Sequence, residues 1–184
     1  MDRPVVTIDG SYGEGGGAIL RQALGCAVLA GRPVRIVRIR AGRREPGLRP
    51  QHLKAIEAAR LLCGAEVDGA QPGSLEVTFV PGPARSGAWT LDVGTAGATT
   101  LVLQAVLLPG LCTPGPYRFA CIGGTDVPWS PPADYLARVT AAALAAFGTL
   151  RVECRRRGYY PKGGGRLDVE MAGGSGPWPR IEWT

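Results

Sequence analysis

Lysine, histidine and paired cysteines are scarce in this sequence. Its only lysines are Lys54 and Lys162 and its only histidine is His52, so arginine carries almost all of the positive charge behind the formal net charge of +6. Abundant arginine is typical of proteins with anionic partners, but it also occurs in proteins from GC-rich genomes. The placement of the arginines must therefore decide whether they bind an anion.

The five cysteines are odd in number, widely spaced and without any C-x-x-C pair. This pattern excludes a disulfide framework and a zinc site built from paired cysteines. Most of them have apolar neighbours in the sequence, so we expect reduced core thiols in a cytoplasmic protein. The residues are Cys26, Cys63, Cys112, Cys121 and Cys154.

Long apolar runs are also missing. Residues 1–4 lack the apolar core of a signal peptide, and the longest apolar run, 101–112, is interrupted by Gln104 and Pro109. We therefore expect no membrane span and no export. A length of 184 residues, with 45% hydrophobic and 20% charged residues, is typical of a globular protein of one domain or two small ones.

One pattern of strands and helices occurs twice along the chain. Matching landmarks, such as Gly64 with Gly148 and Pro50 with Pro132, recur at a spacing of about 80 residues and upward. The pattern predicts an α+β fold, close to α/β, of tandem βαβαββ repeats with helices packed on one face of a mixed four-stranded sheet. The predicted strands cover 5–8, 34–40, 65–68, 74–80, 89–93, 117–122, 151–154 and 166–171, and the predicted helices cover 17–30, 50–63, 95–108 and 132–147.

The repeat divides the chain into three segments. The first βαβαββ unit covers 1–83 and the second covers 84–172, with a joint rich in proline and glycine over 80–87. Residues 173–184 begin with another run of glycine and proline, which indicates the start of a linker to a further part of the protein.

A glycine-rich stretch, 9–17, connects the first predicted strand to the first predicted helix. Free N–H groups, a helix N-terminus and missing side chains make such a loop a candidate phosphate site, although a plain turn also explains the glycines. Glu14 in the loop makes sense if a divalent metal lies between its carboxylate and a phosphate. Arg21, one turn into the helix, can lean back over the loop as a phosphate clamp. The pattern matches neither the P-loop nor the dinucleotide-binding motif.

Arginines concentrate between residues 34 and 54, where only one acid occurs. In the predicted strand 34–40, Arg38 and Arg40 alternate with aliphatic residues and are predicted to project from one face, with Arg43 in the following loop. In a parallel arrangement this loop lies beside the glycine-rich one, at the strand ends where open sheets bind ligands. A solvated basic edge is the alternative, but the polar pair that opens the next helix favours a binding site.

At these residues the sequence resembles the RNA 3′-terminal phosphate cyclases. The resemblance runs from about Val5 to Gly165 with the motifs in the same order. The matching motifs are Asp9-Gly-x-x-Gly-Glu14-Gly-Gly-Gly-x-x-Leu-Arg21, Ile39-Arg40-Ala-Gly-Arg43, Pro46-Gly-Leu-x-x-Gln51-His52-Leu, Gly94-x-Ala-Gly97 with Leu103-Gln104, Gly123-Gly-Thr-Asp126 with Pro131-Pro-Ala-Asp134, and Gly158-Tyr-Tyr-Pro161-Lys-Gly-Gly-Gly165.

The resemblance implies an ATP-dependent enzyme of the ligase class that converts an RNA 3′-phosphate to a 2′,3′-cyclic phosphate. In that family AMP joins an enzyme histidine and then the RNA 3′-phosphate, from which the neighbouring 2′-OH displaces it. Arginine forks and a divalent metal, Mg²⁺ or Mn²⁺, suit this chemistry because crowded phosphate oxygens need positive partners. The resemblance implies that Glu14 binds the metal and that ATP and phosphate are bound by Arg21, Arg40, Arg43, Gln51, His52, Gln104, Pro131 and Tyr135, with Pro131 and Tyr135 beside the adenine.

The nucleophilic histidine of that family belongs to a third copy of the repeat, which would follow an inserted domain beyond Thr184. We therefore expect this chain to be the N-terminal part of a longer cyclase, or a shortened homologue, and to be inactive alone. We do not expect His52 to act as a substitute nucleophile, because the matching motif already contains it beside the separate catalytic histidine. A buried capping role is the plain alternative for His52.

Two other functions stay open. A non-catalytic, cyclase-like RNA-binding module would keep the basic groove without the nucleophile. An enolpyruvyl transferase also has βαβαββ repeats, but the glycine-rich and Pro-Gly-Leu motifs argue against it. Since three repeats close around a pseudo-threefold axis in the cyclase family, two alone would expose apolar helix faces, so we also expect self-association or a partner.

Overall fold

The computed structural model describes residues 4–174 and Gly176, and these form two mixed four-stranded sheets. The strands of the first sheet are β1 (Val6–Asp9), β2 (Val34–Val37), β3 (Glu66–Asp68) and β4 (Val77–Val80), in the order β1-β2-β4-β3. Those of the second are β5 (Gly87–Asp92), β6 (Tyr117–Gly123), β7 (Gly148–Arg156) and β8 (Gly165–Gly173), in the order β5-β6-β8-β7.

Both sheets have the same topology. The first two strands of each are parallel, with Val6 opposite Val34 in one and Trp89 opposite Phe119 in the other, and a helix connects them. The remaining two strands of each sheet add in antiparallel fashion. The predicted α+β fold with a mixed four-stranded sheet is therefore confirmed.

Four helices accompany the strands. They are α1 (Gly17–Ala30), α2 (Pro50–Cys63), α3 (Thr99–Cys112) and α4, which covers 133–143 as α-helical Ala133–Tyr135, π-helical Leu136–Thr140 and α-helical Ala141–Ala143. The first two end at glycines in the left-handed conformation, Gly31 at φ 57° and Gly64 at φ 63°. Both helices therefore have the predicted limits, because the sequence supplies the residue that stops each one.

The hydrophobic core is continuous across the two sheets. Helices α1, α2 and α3 pack against one another, with α1 against the first sheet and α3 against the second. Ile36 and Phe79 from the first sheet, Leu24 and Leu103 from the helices and Phe119 from the second sheet belong to a single buried cluster. The outer strand faces stay exposed, as the alternating burial along β6 and β8 indicates.

The prediction of a strand over 34–40 is wrong at its C-terminal end. β2 stops at Val37, and Arg38 and Arg40 adopt left-handed backbone conformations at φ 53° and 55°, so they do not project from one strand face. Arg38 instead pairs with the Asp9 carboxylate. The Nη1 group of Arg40 donates to backbone carbonyl oxygens, and such bonds offset the unfavourable backbone conformation.

Two predicted helices also differ from the structure. The helix predicted over 95–108 begins at Thr99 and continues through Pro109, because close packing of α3 against α1 and α2 outweighs the missing proline N–H. The helix predicted over 132–147 ends at Ala143. The N–H groups of Ala145 and Phe147 bond to carbonyl oxygens three residues back, so tight turns replace its last turn.

The five cysteines are all free thiols, but only two are core residues. Cys63 and Cys121 are buried, and burial raises the pKa of both, that of Cys121 to about 12. Cys26 is exposed, so the prediction of a core thiol is wrong there.

Over 4–174, no helix combines the length and apolar character needed to span a membrane. The proposed unit boundary after residue 83 falls in the connection between β4 and β5 and stays a prediction. Of the predicted linker 173–184, Ser175 and residues 177–184 lie outside the described residues.

Candidate functional site

The candidate site lies where loops at the carboxyl ends of parallel strands meet. The glycine-rich loop 10–16 follows β1, and loop 38–49 follows β2. The N–H of Gly10 donates to the carbonyl oxygen of Val37 at 2.7 Å, and a Cβ added to Gly10 would lie 2.9 Å from that oxygen. A residue with a side chain would therefore push the two loops apart.

Arg43 and Glu14 face each other across these two loops. The Nη2 group of Arg43 donates to Oε2 of Glu14 at 3.0 Å, and the two side chains are 41% and 91% exposed. An exposed ion pair of this kind contributes little stability, so an incoming phosphate can displace the carboxylate from Arg43 at small cost. The structure thus places the predicted metal ligand and one predicted phosphate ligand side by side.

Arg40 is the most constrained cation of the loop after β2. Its Nη1 group donates to the carbonyl oxygens of Glu45 and Gly47, both at 2.8 Å. Partial burial lowers the pKa of Arg40, and the nearby positive charges of Arg49 and Arg43 lower it further. A guanidinium whose pKa is lowered by neighbouring cations lies in a positive potential that an anion would relieve.

His52 lies in the first turn of α2, where it is only 3% exposed. Its Nδ1 atom accepts the backbone N–H of Arg49 at 3.0 Å, so the ring proton of the neutral imidazole resides on Nε2. Burial lowers the pKa of His52 to about 4, and the positive charges of Arg40, Arg21 and Arg49 contribute to this shift. The contact with Arg49 means that His52 caps the start of α2. This is the structural role predicted from the sequence as the alternative to a binding role.

The start of α1 packs tightly against His52 and Arg21. A Cβ added to Gly17 would lie 2.3 Å from Nε2 of His52 and 2.9 Å from Nη1 of Arg21. Gly17 is the first residue of α1, so the two side chains approach its N-terminus, where free N–H groups favour anions.

Side-chain hydrogen bonds connect helices α1 and α2 to the second repeat. Arg21, which is 8% exposed, donates from Nε to Oε1 of Gln104 on α3 at 2.9 Å, and burial lowers its pKa. Oε1 of Gln51 accepts the N–H of Ala98 at 3.3 Å, immediately before α3. The N-terminal ends of α1, α2 and α3 therefore meet at this site.

Pro131 and Tyr135 stand apart from the arginines. The carbonyl oxygen of Pro131 accepts the hydroxyl of Thr100 at 2.8 Å, which ties the loop after β6 to α3. Tyr135 on α4 is 48% exposed. No hydrogen bond within 4–174 connects either residue to the arginine cluster, so their predicted place beside an adenine stays a prediction.

One feature of the second repeat is absent from the sequence prediction. Arg157 donates from Nη1 to Asp126 at 2.9 Å and from Nη2 to Asp134 at 2.8 Å, and these carboxylates raise the pKa of Arg157. The pairing fastens the loop before β8 to both the loop after β6 and the first turn of α4. Both aspartates belong to the motifs of the resemblance, but nothing in the sequence pairs them with Arg157.

The single carboxylate of Glu14 suits a metal ion that is held mainly by the phosphate oxygens of a bound molecule. Within the described part of the chain, no group of three His, Cys, Asp or Glu side chains could hold a metal ion. Mg²⁺ is commonly held by one or two carboxylates together with phosphate oxygens and water. The exposed carboxylate of Glu14 suits that mode of binding, beside a cation that can hold the same phosphate.

The fold and the candidate site define an α+β protein with arginine side chains gathered at three helix N-termini. Residues 12–180 match the RNA 3′-terminal phosphate cyclase family, and the chain belongs to this enzyme family.

Curated relatives carry the same name. The chain is 51% identical to the RNA 3′-terminal phosphate cyclase of Pyrococcus furiosus over 175 residues, which are 95% of this chain and 50% of the relative. It is 49% identical to that of Methanopyrus kandleri, over 91% of this chain and 48% of the relative, and 52% identical to that of Thermococcus gammatolerans, over 97% and 52%. The chain thus spans about half the length of the curated relatives it matches.

Proposed function

We propose that this chain forms the ATP- and phosphate-binding part of an RNA 3′-phosphate cyclase, which converts an RNA 3′-phosphate to a 2′,3′-cyclic phosphate with ATP. The observation that carries the proposal is the crowding of Arg40, Arg21 and Arg49 around the buried, neutral His52 beside the start of α1. Burial lowers the pKa of His52 to about 4, and the positive charges of these arginines contribute to the shift. Arg43 lies close by, because a Cβ added to Gly16 would be 3.2 Å from its Nη2. A pocket that disfavours a further positive charge is suited to the oxyanions of a phosphate.

We call the proposed site around Arg21, Arg40, Arg43 and His52 the arginine pocket, and each of its residues has a distinct role. Arg43, at the exposed rim, exchanges Glu14 for a phosphate oxygen. Arg21 and Arg40 supply fixed positive charge, since Gln104 and the carbonyl oxygens of the loop hold their side chains in place. His52, with its proton on Nε2, would donate a hydrogen bond to a phosphate oxygen without adding charge, since its Nδ1 already accepts the N–H of Arg49.

ATP and a divalent metal belong to the same proposal. Glu14 would hold Mg²⁺ or Mn²⁺ against the phosphates, and Pro131 and Tyr135 would flank the adenine. The metal, when bound, neutralises phosphate charge. Gln51, bonded to the N–H of Ala98, fixes the approach of α3 to the pocket.

The adenylylated histidine of the family lies, in this proposal, outside residues 4–174, so the chain alone would be inactive. His52 is unsuited to that role because its Nδ1 lone pair accepts a backbone N–H and its Nε2 carries the ring proton, so neither nitrogen has a free lone pair for attack. A non-catalytic RNA-binding module is the second candidate, favoured by the same burial of the one histidine. Incubation of the full-length protein with α-labelled ATP and metal separates the two, since only a cyclase becomes covalently labelled.

Binding of RNA ends tests the pocket itself. Arg43→Ala is expected to weaken binding of a 3′-phosphate oligonucleotide by about tenfold to a hundredfold, the range of a lost charge-assisted hydrogen bond, and to affect a 3′-hydroxyl oligonucleotide much less. Arg44→Ala, a neighbouring exposed arginine in the same loop, is the matched control. Equal losses for both RNA ends would reduce Arg43 to a general backbone contact.

Self-association and a cytoplasmic location complete the proposal. Helices α1 and α3 leave Cys26, Leu29 and Leu108 exposed, which is consistent with apolar helix faces that a second copy or a partner covers. A strictly monomeric species in light scattering would count against self-association of this chain. The free cysteines are consistent with a reducing compartment.

A further inference from the structure

Trp129 occupies an unusual position on the loop after β6. Its side chain is 99% exposed, and its backbone lies in the left-handed region at φ 64°. A bulky residue rarely adopts this conformation, and a fully exposed indole gains nothing from burial. Neither the fold nor the arginine pocket accounts for it.

The loop that carries Trp129 is fixed on both sides. The hydroxyl of Ser130 donates to the carbonyl oxygen of Val127 at 2.9 Å, and that of Thr100 donates to Pro131 at 2.8 Å. The N–H of Ala133 closes the loop on the carbonyl oxygen of Thr125 at 2.9 Å. Trp129 is therefore presented by an ordered loop, and its exposure is a feature of the fold.

A second loop beside it carries two more exposed aromatic rings. Thr125 donates its N–H to the carbonyl oxygen of Gly158 at 2.8 Å, which places Tyr159 and Tyr160 next to the loop of Trp129. These tyrosines are 58% and 74% exposed. We call Trp129, Tyr159 and Tyr160 the aromatic rim. Exposed cations flank it, Arg156 at the end of β7 and Lys162 in the same loop.

Backbone contacts connect the loops of the aromatic rim to the segments that carry the arginine pocket. Gly124, just after β6, donates its N–H to the carbonyl oxygen of Gly97 at 2.9 Å. The next residue, Ala98, donates to Gln51 at the start of α2. A Cβ added to Gly163 would lie 2.8 Å from Cα of Ala96, so the loop of the two tyrosines borders the same segment.

We propose that the aromatic rim stacks unpaired bases of the RNA strand whose 3′-phosphate occupies the arginine pocket, an inference that rests on the proposed function. Sites for single strands combine aromatic faces, on which any base can stack, with cations that follow the backbone. A mononucleotide is normally enclosed by its pocket, whereas a ring that is 99% exposed suits a strand that crosses the surface. The neighbouring Arg156 and Lys162 favour this polyanion over an apolar protein partner.

The test compares Trp129→Asn with Trp129→Phe in the full-length protein. Asn tolerates the left-handed backbone but cannot stack, while Phe keeps an aromatic face. For single-stranded oligoadenylates of roughly ten nucleotides, Trp129→Asn is expected to weaken binding by about tenfold, and Trp129→Phe by much less. Val139→Asn, at another exposed apolar residue in the second repeat, controls for a general surface effect.

Oligonucleotides with one abasic position locate the stacked base. Removing that base should weaken binding to the unaltered protein and to Trp129→Phe, but cause no further loss with Trp129→Asn. Binding of ATP should not change in any of the variants. Equal binding of RNA by Trp129→Asn and the unaltered protein would overturn the inference, as would an equal loss for ATP and RNA, which would assign Trp129 to the nucleotide.

The same measurements keep this inference separate from the proposed function. When the affinities of Trp129→Asn and Trp129→Phe are compared on 3′-hydroxyl oligonucleotides, the terminal phosphate does not enter the result. If the unaltered protein shows no preference for the 3′-phosphate, the arginine pocket is contradicted, and the stacking result still stands by itself. If Trp129→Asn keeps the preference for the 3′-phosphate and does not lose tenfold in affinity for the oligoadenylates, only the role of the aromatic rim is contradicted.

Discussion

Arg21 on α1 and Gln104 on α3 are joined by a hydrogen bond of 2.9 Å between Nε and Oε1, although 83 residues separate them in the chain. The bond holds a buried guanidinium in place with the side chain of the other repeat. The proposed arginine pocket therefore depends on the packing of the two repeats against each other.

Gln104→Ala is expected to lower the free energy of unfolding by about 1 kcal/mol, because Nε of Arg21 loses its acceptor. The loss is at the low end for a buried charged group since Gln104 is itself exposed and water can reach the site. Urea denaturation measures the change. Gln22→Ala, at an exposed glutamine on α1, should stay within about 0.5 kcal/mol. Equal stability of the two variants would contradict a structural role for the bond.

Gly17→Ala is expected to destabilise the protein by about 1–3 kcal/mol, although alanine normally favours a helix. The added Cβ would lie 2.3 Å from Nε2 of His52, and the N–H of Arg49 holds that ring in place. Binding of a 3′-phosphate oligonucleotide should weaken as well, because the clash moves His52.

The control for this substitution is Gly42→Ala. A Cβ on Gly42 would meet no atom within 4 Å, and its backbone does not require glycine. Gly42→Ala should therefore be neutral or slightly stabilising in the same denaturation experiment. A stable Gly17→Ala variant with normal RNA binding would disprove the close packing at this helix start.

Acid is expected to destabilise the protein through His52. Its pKa is about 4 in the folded state and about 6.5 in the unfolded chain, so the unfolded state binds more protons between these values. Stability should therefore fall as the pH drops from 6.5 to 4, by about 3 kcal/mol in total, and change no further from this group below pH 4.

His52→Gln isolates that contribution. Glutamine can accept the Arg49 N–H but does not titrate, so the fall in unfolding free energy between pH 6.5 and 4.5 should be much smaller in this variant. The Asp9 carboxyl does not confuse the result, because Arg38 lowers its pKa from 3.8 to about 2 and its contribution is lost only below this window. The same pH dependence in both proteins would contradict the buried neutral imidazole.

Glu14→Gln tests the proposed metal ligand. Mg²⁺ should strengthen ATP binding to the unaltered protein, and the variant should lose about tenfold or more of that gain, the scale of a damaged metal site. Without metal, the variant should bind ATP as well as the unaltered protein, since Arg43 no longer has a competing carboxylate. Calorimetric titration with and without Mg²⁺ measures both values.

Glu45→Gln is the matched control, because Glu45 is also an exposed loop carboxylate paired with an arginine, at 2.6 Å from Arg49. It should retain the gain from Mg²⁺. An identical response of the two variants would remove Glu14 from the metal site.

Local signals in the sequence predict much of the fold. Pro50 at the start of α2 and the left-handed Gly31 and Gly64 after α1 and α2 set the limits of these helices, because each acts within a few residues of the chain. The βαβαββ pattern predicts the two sheets for the same reason. It fails at Arg38 and Arg40, where ion pairing with Asp9 and bonds to loop carbonyl oxygens replace the strand.

The sequence by itself determined the family, the α+β fold and the two loops that carry the site, since these follow from motifs, periodicity and turn residues that act locally. Only the tertiary structure decided that Arg21 meets Gln104, that Gln51 meets Ala98 at a separation of 47 residues, and that Arg157 holds both Asp126 and Asp134. The physical reason is that the first two contacts depend on how helices from two repeats pack around one core, and the third depends on how the loop after β7 folds against the loop after β6 and the start of α4. That packing also buries His52 among arginines and leaves Trp129 exposed.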